Sequence, residues 1–335
     1  MRPDFNFKTL SVALLPTPVQ YLDALSRELD VEFYIKRDDL TGMELSGNKI
    51  RKLDFLFAQA IDQKATAIIT CGGIQSNHAR ATAVLCRKLG LKPCLVLREG
   101  DGKNSPQGNL LLDHLLDARI IWITAEQYRD QRGEIMDDWA LKLSQEGEAP
   151  FIIPEGGSNA LGYMGYYQAA LEIDRQSKEM NLSFDYLVTA IGSGGTFGGL
   201  WFANKLHHFS WELLGVNVCD TAEYFKSRII GVLSELDVAY DLGLPLEPNE
   251  LAIIDGFVGP GYAVSTVEDR FLIHKMARLH GIFLDPVYTG KAFHALVSSI
   301  ESGRIPKKSK ILFVHTGGLF GLFPQNHTFQ TELKI

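Results

Sequence analysis

The chain has 335 residues, 46% of them apolar and 22% charged, with a formal net charge of −7. Such a composition builds a large core and suits two packed domains or one large α/β domain. It argues against a disulfide framework or zinc site, since the four cysteines form no C-x-x-C pair, and against nucleic acid as a partner, since no basic block occurs.

The opening segment MRPDFNFKTLSVALLPTPVQ lacks the long apolar run of a signal peptide. No stretch approaches the ~18 apolar residues of a membrane span. No H-E-x-x-H motif occurs, so no metal is expected. The expectation is a cytoplasmic protein with reduced thiols.

Along the chain, short apolar runs alternate with helical stretches. ATAIITC (65–71) reads as a strand, followed by two glycines and a helix over about 76–89. KPCLVLR (92–98) is the next strand, NLLLDHLLD a helix, and RIIWITA (119–125) a strand. A long helix is predicted over about 128–146, then a strand, PFIIPEGG (150–157), running into a glycine turn. LGYMGYYQAALEIDRQSKEM is an amphipathic helix with Asn159 as its cap. DYLVTAIGSGGTFGGL reads as strand, glycine turn and helix. ELLGVNV (212–218) is a strand, a helix follows over about 222–236, and KILFVHTGG (310–318) is a late strand.

This alternation argues an α/β fold with parallel strands covered by helices on both faces. A seam near 154–157 and a crossing near Ser46 imply a discontinuous large domain, 1–47 and 155–335, with a small α/β domain, 48–154, inserted. Ligands in open α/β folds bind at the carboxyl ends of strands. The glycine turns at 72–73, 156–157, 192–199 and 317–318 are therefore expected to converge on one cleft.

GSGGTFGG, at 192–199, can cradle a phosphate on backbone N–H groups. Counting from Gly192, the sixth residue is Phe197, so the dinucleotide spacing fails, and no Gly-Lys follows as in a Walker loop. A monophosphate fits better, with Ser193 and Thr196 adding donors. In LSGNKIRKLDF, Lys49 stands at a helix opening, where partial positive charge disfavours an ammonium. Arg51 and Lys52 lie close in sequence, and each lowers its pKa further. Such a lysine can form a Schiff base. A phosphate site plus a reactive lysine points to pyridoxal phosphate (PLP).

The blocks SGNKIRKL, GGIQSNHAR, PEGGSNALGYMGY, GSGGT, GPGYA, DPVYTGKA and HTGG occur in this order. The chain thereby resembles the PLP-dependent D-cysteine desulfhydrases and 1-aminocyclopropane-1-carboxylate (ACC) deaminases. The resemblance runs from about residue 36 to 318 and implies a two-domain fold type II, tryptophan-synthase-β-like, with open, mostly parallel twisted sheets flanked by helices. It implies that Lys49 attaches the cofactor and that Lys52 and the turn Gly192, Ser193, Gly194, Gly195 and Thr196 hold its phosphate. Ser76 would grip the substrate carboxylate, and Asn77 would meet the cofactor 3′-oxygen. His78 is assigned to the substrate side, though a structural role is as natural for it. Tyr262 and Tyr288 would face the cofactor, the second near the pyridine ring.

Two positions separate the branches. ACC deaminases usually carry glutamate after the DPVY tyrosine and leucine after the late histidine; here Thr289 and Thr316 stand there. A threonine offers the pyridine nitrogen only a neutral hydrogen bond. This favours β-elimination from D-cysteine, to pyruvate, hydrogen sulfide and ammonia. ACC deamination, cysteate sulfo-lyase activity and elimination from related β-substituted amino acids are the rivals. A homodimer is expected, as relatives commonly form one.

Overall fold

The computed structural model describes residues 5, 7–100, 106–261 and 263–329. The first elements are β1 (Val19–Tyr21), α1 (Asp23–Leu29), β2 (Glu32–Lys36) and α2 (Lys49–Asp62). Next come β3 (Ala67–Gly73), α3 (Asn77–Lys88), β4 (Lys92–Arg98), α4 (Gly108–Leu115), β5 (Arg119–Ile123), α5 (Ala125–Asp130), α6 (Arg132–Gln145) and β6 (Pro150–Ile152). The chain continues through α7 (Ala160–Glu179), β7 (Tyr186–Ile191), α8 (Gly195–His207), β8 (Glu212–Asn217) and α9 (Ala222–Tyr240). It ends with β9 (Ile253–Ile254), α10 (Val267–His280), α11 (Thr289–Glu301) and β10 (Lys310–Val314).

Two sheets form. One has six strands in the order β1-β2-β10-β7-β8-β9, parallel except for the β1–β2 pair. The other has four parallel strands in the order β5-β4-β3-β6. Both are covered on two faces, and the period-2 alternation of the strands shows it. In β7, Val188 packs into the layer of α10 and α11, with Phe293 and Leu296, while Leu187 packs into the layer of α7 and α8, with Tyr166 and Leu200. In the smaller sheet, Ile68 meets α2 and α3 through Leu53 and Leu85, while Ile69 faces α6 through Met136. Burial on both faces is why these strands read as continuous apolar runs.

The parallel α/β architecture matches the expectation. The helix predicted over 128–146 is two helices. Thr124 and Gln127 form a capping box that starts α5, and Gln131 then leaves helical geometry at φ −129°. The strand expected over 150–157 ends at Ile152; Pro154, which has no N–H to pair, follows, and the glycine turn beyond takes φ of +65° at Gly156 and +60° at Gly157. Elements beyond the predicted set are β1, α1, β2, β9, α10 and α11.

Candidate active site

The strand ends meet as expected. β3 runs into Gly72, Gly73 and Ser76, β7 into Gly192, Ser193, Gly194 and Thr196, β8 into Cys219 and Asp220, and β10 into Thr316 and Gly317; all line one cleft system. Its inner part is bounded by Asn48, Lys49, Asn77, Tyr288 and Thr316. Its outer part, of 540 Å³, extends past Ser76 and Glu155 to Arg132 and Arg228.

Lys49 opens α2 and lines both parts. Burial pushes its amine down to about 8, against the opposing pull of Glu155 and Cys219. The cause differs from the one expected. Arg51, two residues on, points to another flank of the helix, where it bonds Asp38 at 2.8 Å and Glu172 at 2.9 Å. Lys52, three residues on, does share the face of Lys49.

Lys52 is fully buried and donates to the carbonyl of Gly156 and, at 3.2 Å, to Ser158 Oγ. Burial first, then Lys49 and Arg228, holds its pKa well below the ordinary lysine value. Among the described residues no carboxylate hydrogen-bonds it, so an anion is the missing complement. The turn opening α8 supplies the cradle. A Cβ on Gly195 would stand 2.5 Å from Ser158 Oγ and 2.8 Å from Lys52 Nζ, so the close approach requires glycine. Gly194 takes φ +88°, which again favours glycine. Ser193 Oγ lies 2.8 Å from Ser158 Oγ, and Thr196 Oγ1 accepts from Asn48 Nδ2 at 2.8 Å. The donor set fits a phosphate: a helix N-terminus, three hydroxyls and a buried lysine.

The second cradle opens α3. Ser76 Oγ accepts from Ala79 N at 3.1 Å as the N-cap, which leaves its O–H to donate. Asn77 lines the cleft beside Lys49. His78 is buried behind it. Thr70 Oγ1 donates to Ile153 O at 2.8 Å and so accepts from His78 Nε2, also at 2.8 Å. Burial, with Lys49 and Lys52, keeps this imidazole well below its usual pKa and therefore neutral.

Tyr288 packs its ring edge against Gly192, where a Cβ would stand 2.6 Å from Cε1. Thr316 lines the inner cleft, and its carbonyl accepts from Asn48 N at 3.0 Å. Thr289 does not reach the cleft. It is fully buried, and its hydroxyl donates to Asp285 Oδ1 at 2.7 Å. Tyr262 lies outside the described residues.

Several residues here escaped the sequence reading. Asp285 accepts from the backbone N–H groups of Val287, Tyr288 and Thr289 at 2.8–2.9 Å and so fixes the turn that presents Tyr288. The Asp-Pro pair was its signal. Glu155 accepts from Tyr128 Oη at 2.6 Å and from Arg228 at 3.1 Å, with Arg132 at 3.6 Å. It joins α5 and α6 on one side of the cleft to α9 on the other, and no sequence spacing marks that pairing. Among the described residues, no group of three or more His, Cys, Asp or Glu could hold a metal ion, and no helix is long and apolar enough to cross a membrane.

The family described as pyridoxal-phosphate dependent enzyme matches residues 10–317, and the chain belongs to it. A Thermotoga maritima protein named "Putative 1-aminocyclopropane-1-carboxylate deaminase" is 43% identical, covering 95% of this chain and 98% of that one. The bifunctional D-cysteine desulfhydrase/ACC deaminase of Arabidopsis thaliana mitochondria is 41% identical, over 94% of this chain and 79% of its own. The D-cysteine desulfhydrase of Yersinia enterocolitica is 39% identical over 96% and 97%. A crystal structure of an ACC deaminase homologue superposes with a TM-score of 0.88 at 35% identity, covering 97% of this chain and 96% of that one. The protein is thus a PLP-dependent enzyme of fold type II whose relatives are lyases of both kinds.

Proposed function

We propose that the enzyme catalyses β-elimination from D-cysteine, giving pyruvate, hydrogen sulfide and ammonia. The observation that carries this reading is the lining of the inner cleft. Among the described residues it holds no carboxylate, only Lys49, amides, hydroxyls, glycines, Ala190 and Tyr288. PLP, when bound, supplies an aldehyde for covalent attachment and a ring that takes up the electron pair released at Cα. Without an acid to keep a proton on that ring, the electron sink is modest. Loss of a good leaving group asks less of it than opening a cyclopropane.

The chain's own groups then divide the work. Lys52, Ser158, Ser193, Thr196 and the opening N–H groups of α8 would hold the phosphate. The Ser76 hydroxyl and the opening N–H groups of α3 would take the substrate carboxylate. Lys49, half neutral near pH 8, accepts the Cα proton as general base. The Cβ–S pair leaves with sulfur, and the Lys49 ammonium formed in the first step can return a proton to it. Water completes the balance: D-cysteine and one water give pyruvate, hydrogen sulfide and ammonia.

ACC deamination is the second reading, favoured by the names of the Thermotoga and Arabidopsis relatives. Offering purified, PLP-loaded protein D-cysteine, L-cysteine, L-cysteate and ACC side by side separates the two. Sulfide and pyruvate from D-cysteine, with no 2-oxobutyrate from ACC, is the expected result. Efficient ACC turnover would overturn the argument from the missing carboxylate. The reading includes a cytoplasmic homodimer, and light scattering of the purified protein checks its mass.

A further inference from the structure

Arg80 is fully buried, and a guanidinium can only donate hydrogen bonds. Its Nε donates to Asn109 Oδ1 at 3.2 Å. The other end of that amide, Nδ2, donates to the backbone carbonyl of Gln75 at 2.9 Å and to Asn77 Oδ1 at 3.0 Å. A carbonyl can only accept. Asn109 therefore stands between a pure donor and a pure acceptor, and its orientation has one solution. Asn77 must turn its oxygen to Asn109. Its Nδ2 is then directed away, toward the cleft it shares with Lys49 and Tyr288.

We propose that Asn109, on α4, is a positioning residue that sets Asn77 as a hydrogen-bond donor toward the cofactor's ring oxygen. This rests on the PLP site described above and goes beyond it. The relay is rigid. Asn109 is itself fully buried, and its backbone N–H donates to Gln75 Oε1 at 2.9 Å. Gln75 Nε2 returns to Gln107 O at 3.0 Å. Arg80 also donates to the carbonyls of Glu44 and Ser46, on the approach to Lys49. Phe320, 5.0 Å from the guanidinium, covers it from the loop after β10. One amide thus ties the segment before Lys49 to the segment that would grip the carboxylate. A donor at the ring oxygen favours its ionised form and leaves the exchangeable proton on the Lys49 nitrogen.

Asn109→Asp tests the proposal. The variant keeps the shape and gives Arg80 a carboxylate, but it has no N–H to offer. Asn77 then swings its Nδ2 to the introduced carboxylate and presents Oδ1 to the cofactor, drawing the proton onto the ring oxygen. In PLP-loaded protein the visible absorption band should weaken and the near-ultraviolet band grow. The ratio should change about three- to tenfold, the reach of one exchanged hydrogen bond. Cofactor stoichiometry should stay at wild type. Asn109→Ala, which removes the orientation without reversing it, should shift the ratio in the same direction by less. It decides the matter if Asn109→Asp does not load cofactor. A visible band that depends on Lys49 yet is unchanged in the loaded Asn109 variants overturns this proposal alone. A wild-type band that survives Lys49→Ala overturns the site assignment, and the proposal with it.

Discussion

Replacing Lys52 by methionine separates a structural lysine from a phosphate-binding one, because the two readings give opposite signs in the cofactor-free protein. Lys52 is fully buried, and its hydrogen bonds go to Gly156 O and Ser158 Oγ, both neutral. Without cofactor, its charge is desolvated with no anion beside it, and its pKa falls well below the ordinary value. Methionine removes that cost and loses two hydrogen bonds of about 0.5–1.5 kcal/mol each. Swapping a poorly compensated buried charge for an apolar side chain is neutral or stabilising by about 1–4 kcal/mol. With cofactor, the balance reverses. A charge-assisted bond to phosphate is worth about 1.5–3 kcal/mol, so the dissociation constant of PLP should rise about 10- to 150-fold. Urea unfolding of the apo-protein and a fluorescence titration with PLP read the two effects. The pH dependence has a definite sign. The folded state holds fewer protons on Lys52 than the unfolded chain does, so apo-protein stability rises with pH above the depressed pKa, up to the ordinary value near ~10.4. That rise should shrink in the variant. An apo-protein destabilised by the substitution, with PLP affinity unchanged, would refute the reasoning.

Cofactor attachment trapped by borohydride should quicken as pH rises through about 8, where Lys49 becomes neutral, and level off above it; a midpoint near the ordinary lysine value would contradict the burial argument. Glu155→Gln should move that midpoint down by less than about one unit, because Glu155 holds the Lys49 pKa up and a charge across a wet cleft is worth about 1 kcal/mol. Asp285→Ala strips the acceptor from three backbone N–H groups and should lower stability by about 2–4 kcal/mol, read from the urea midpoint, with turnover falling as Tyr288 loses its fixed place. Arg51→Met leaves Asp38 and Glu172 buried without their main partner and should cost about 3–5 kcal/mol in apo- and holo-protein alike.

The strands were legible wherever both faces are buried. LVTAI, broken only by a buried threonine, and LVL at 95–97 read as apolar runs because helices cover these strands on two sides, as the opposed packing of Leu187 and Val188 shows. The glycine turns were legible because backbone there runs where side chains would otherwise stand. Gly195 is the clearest case, with Lys52 Nζ 2.8 Å from where its Cβ would be. Residues that act through a partner distant in sequence were not legible. Glu155 is held by groups 27 and 73 positions away. Asn109 lies 32 positions from Asn77, and neither carries a local pattern that names the other. Thr289 shows the opposite failure. Its neighbour Tyr288 lines the cleft, but one step into α11 the side chain turns inward to Asp285.

The opening of α2 gathers three cations within four residues, and helical geometry together with what each one meets gives them three different states. Arg51 lies on a flank of its own and is clamped by Asp38 and Glu172, with Tyr166 and Lys36 closing the network around them. Its charge is met by two buried carboxylates, both held below the usual carboxylate range by the guanidinium beside them. Lys52, three residues from Lys49 and on the same face, meets neutral oxygens and the N-terminus of α8, so its charge is complete only with an anion in place. Lys49 has the cleft before it, and among the described residues no side chain accepts a hydrogen bond from its amine. A phosphate on Lys52 would complete its charge, and covalent attachment would bind the Lys49 amine before substrate arrives. The fixed arginine anchors the helix, the buried lysine meets only neutral oxygens, and the third amine faces the cleft. Moving any one of them by a single position would turn its side chain about 100° around the helix, away from the groups that give it its state.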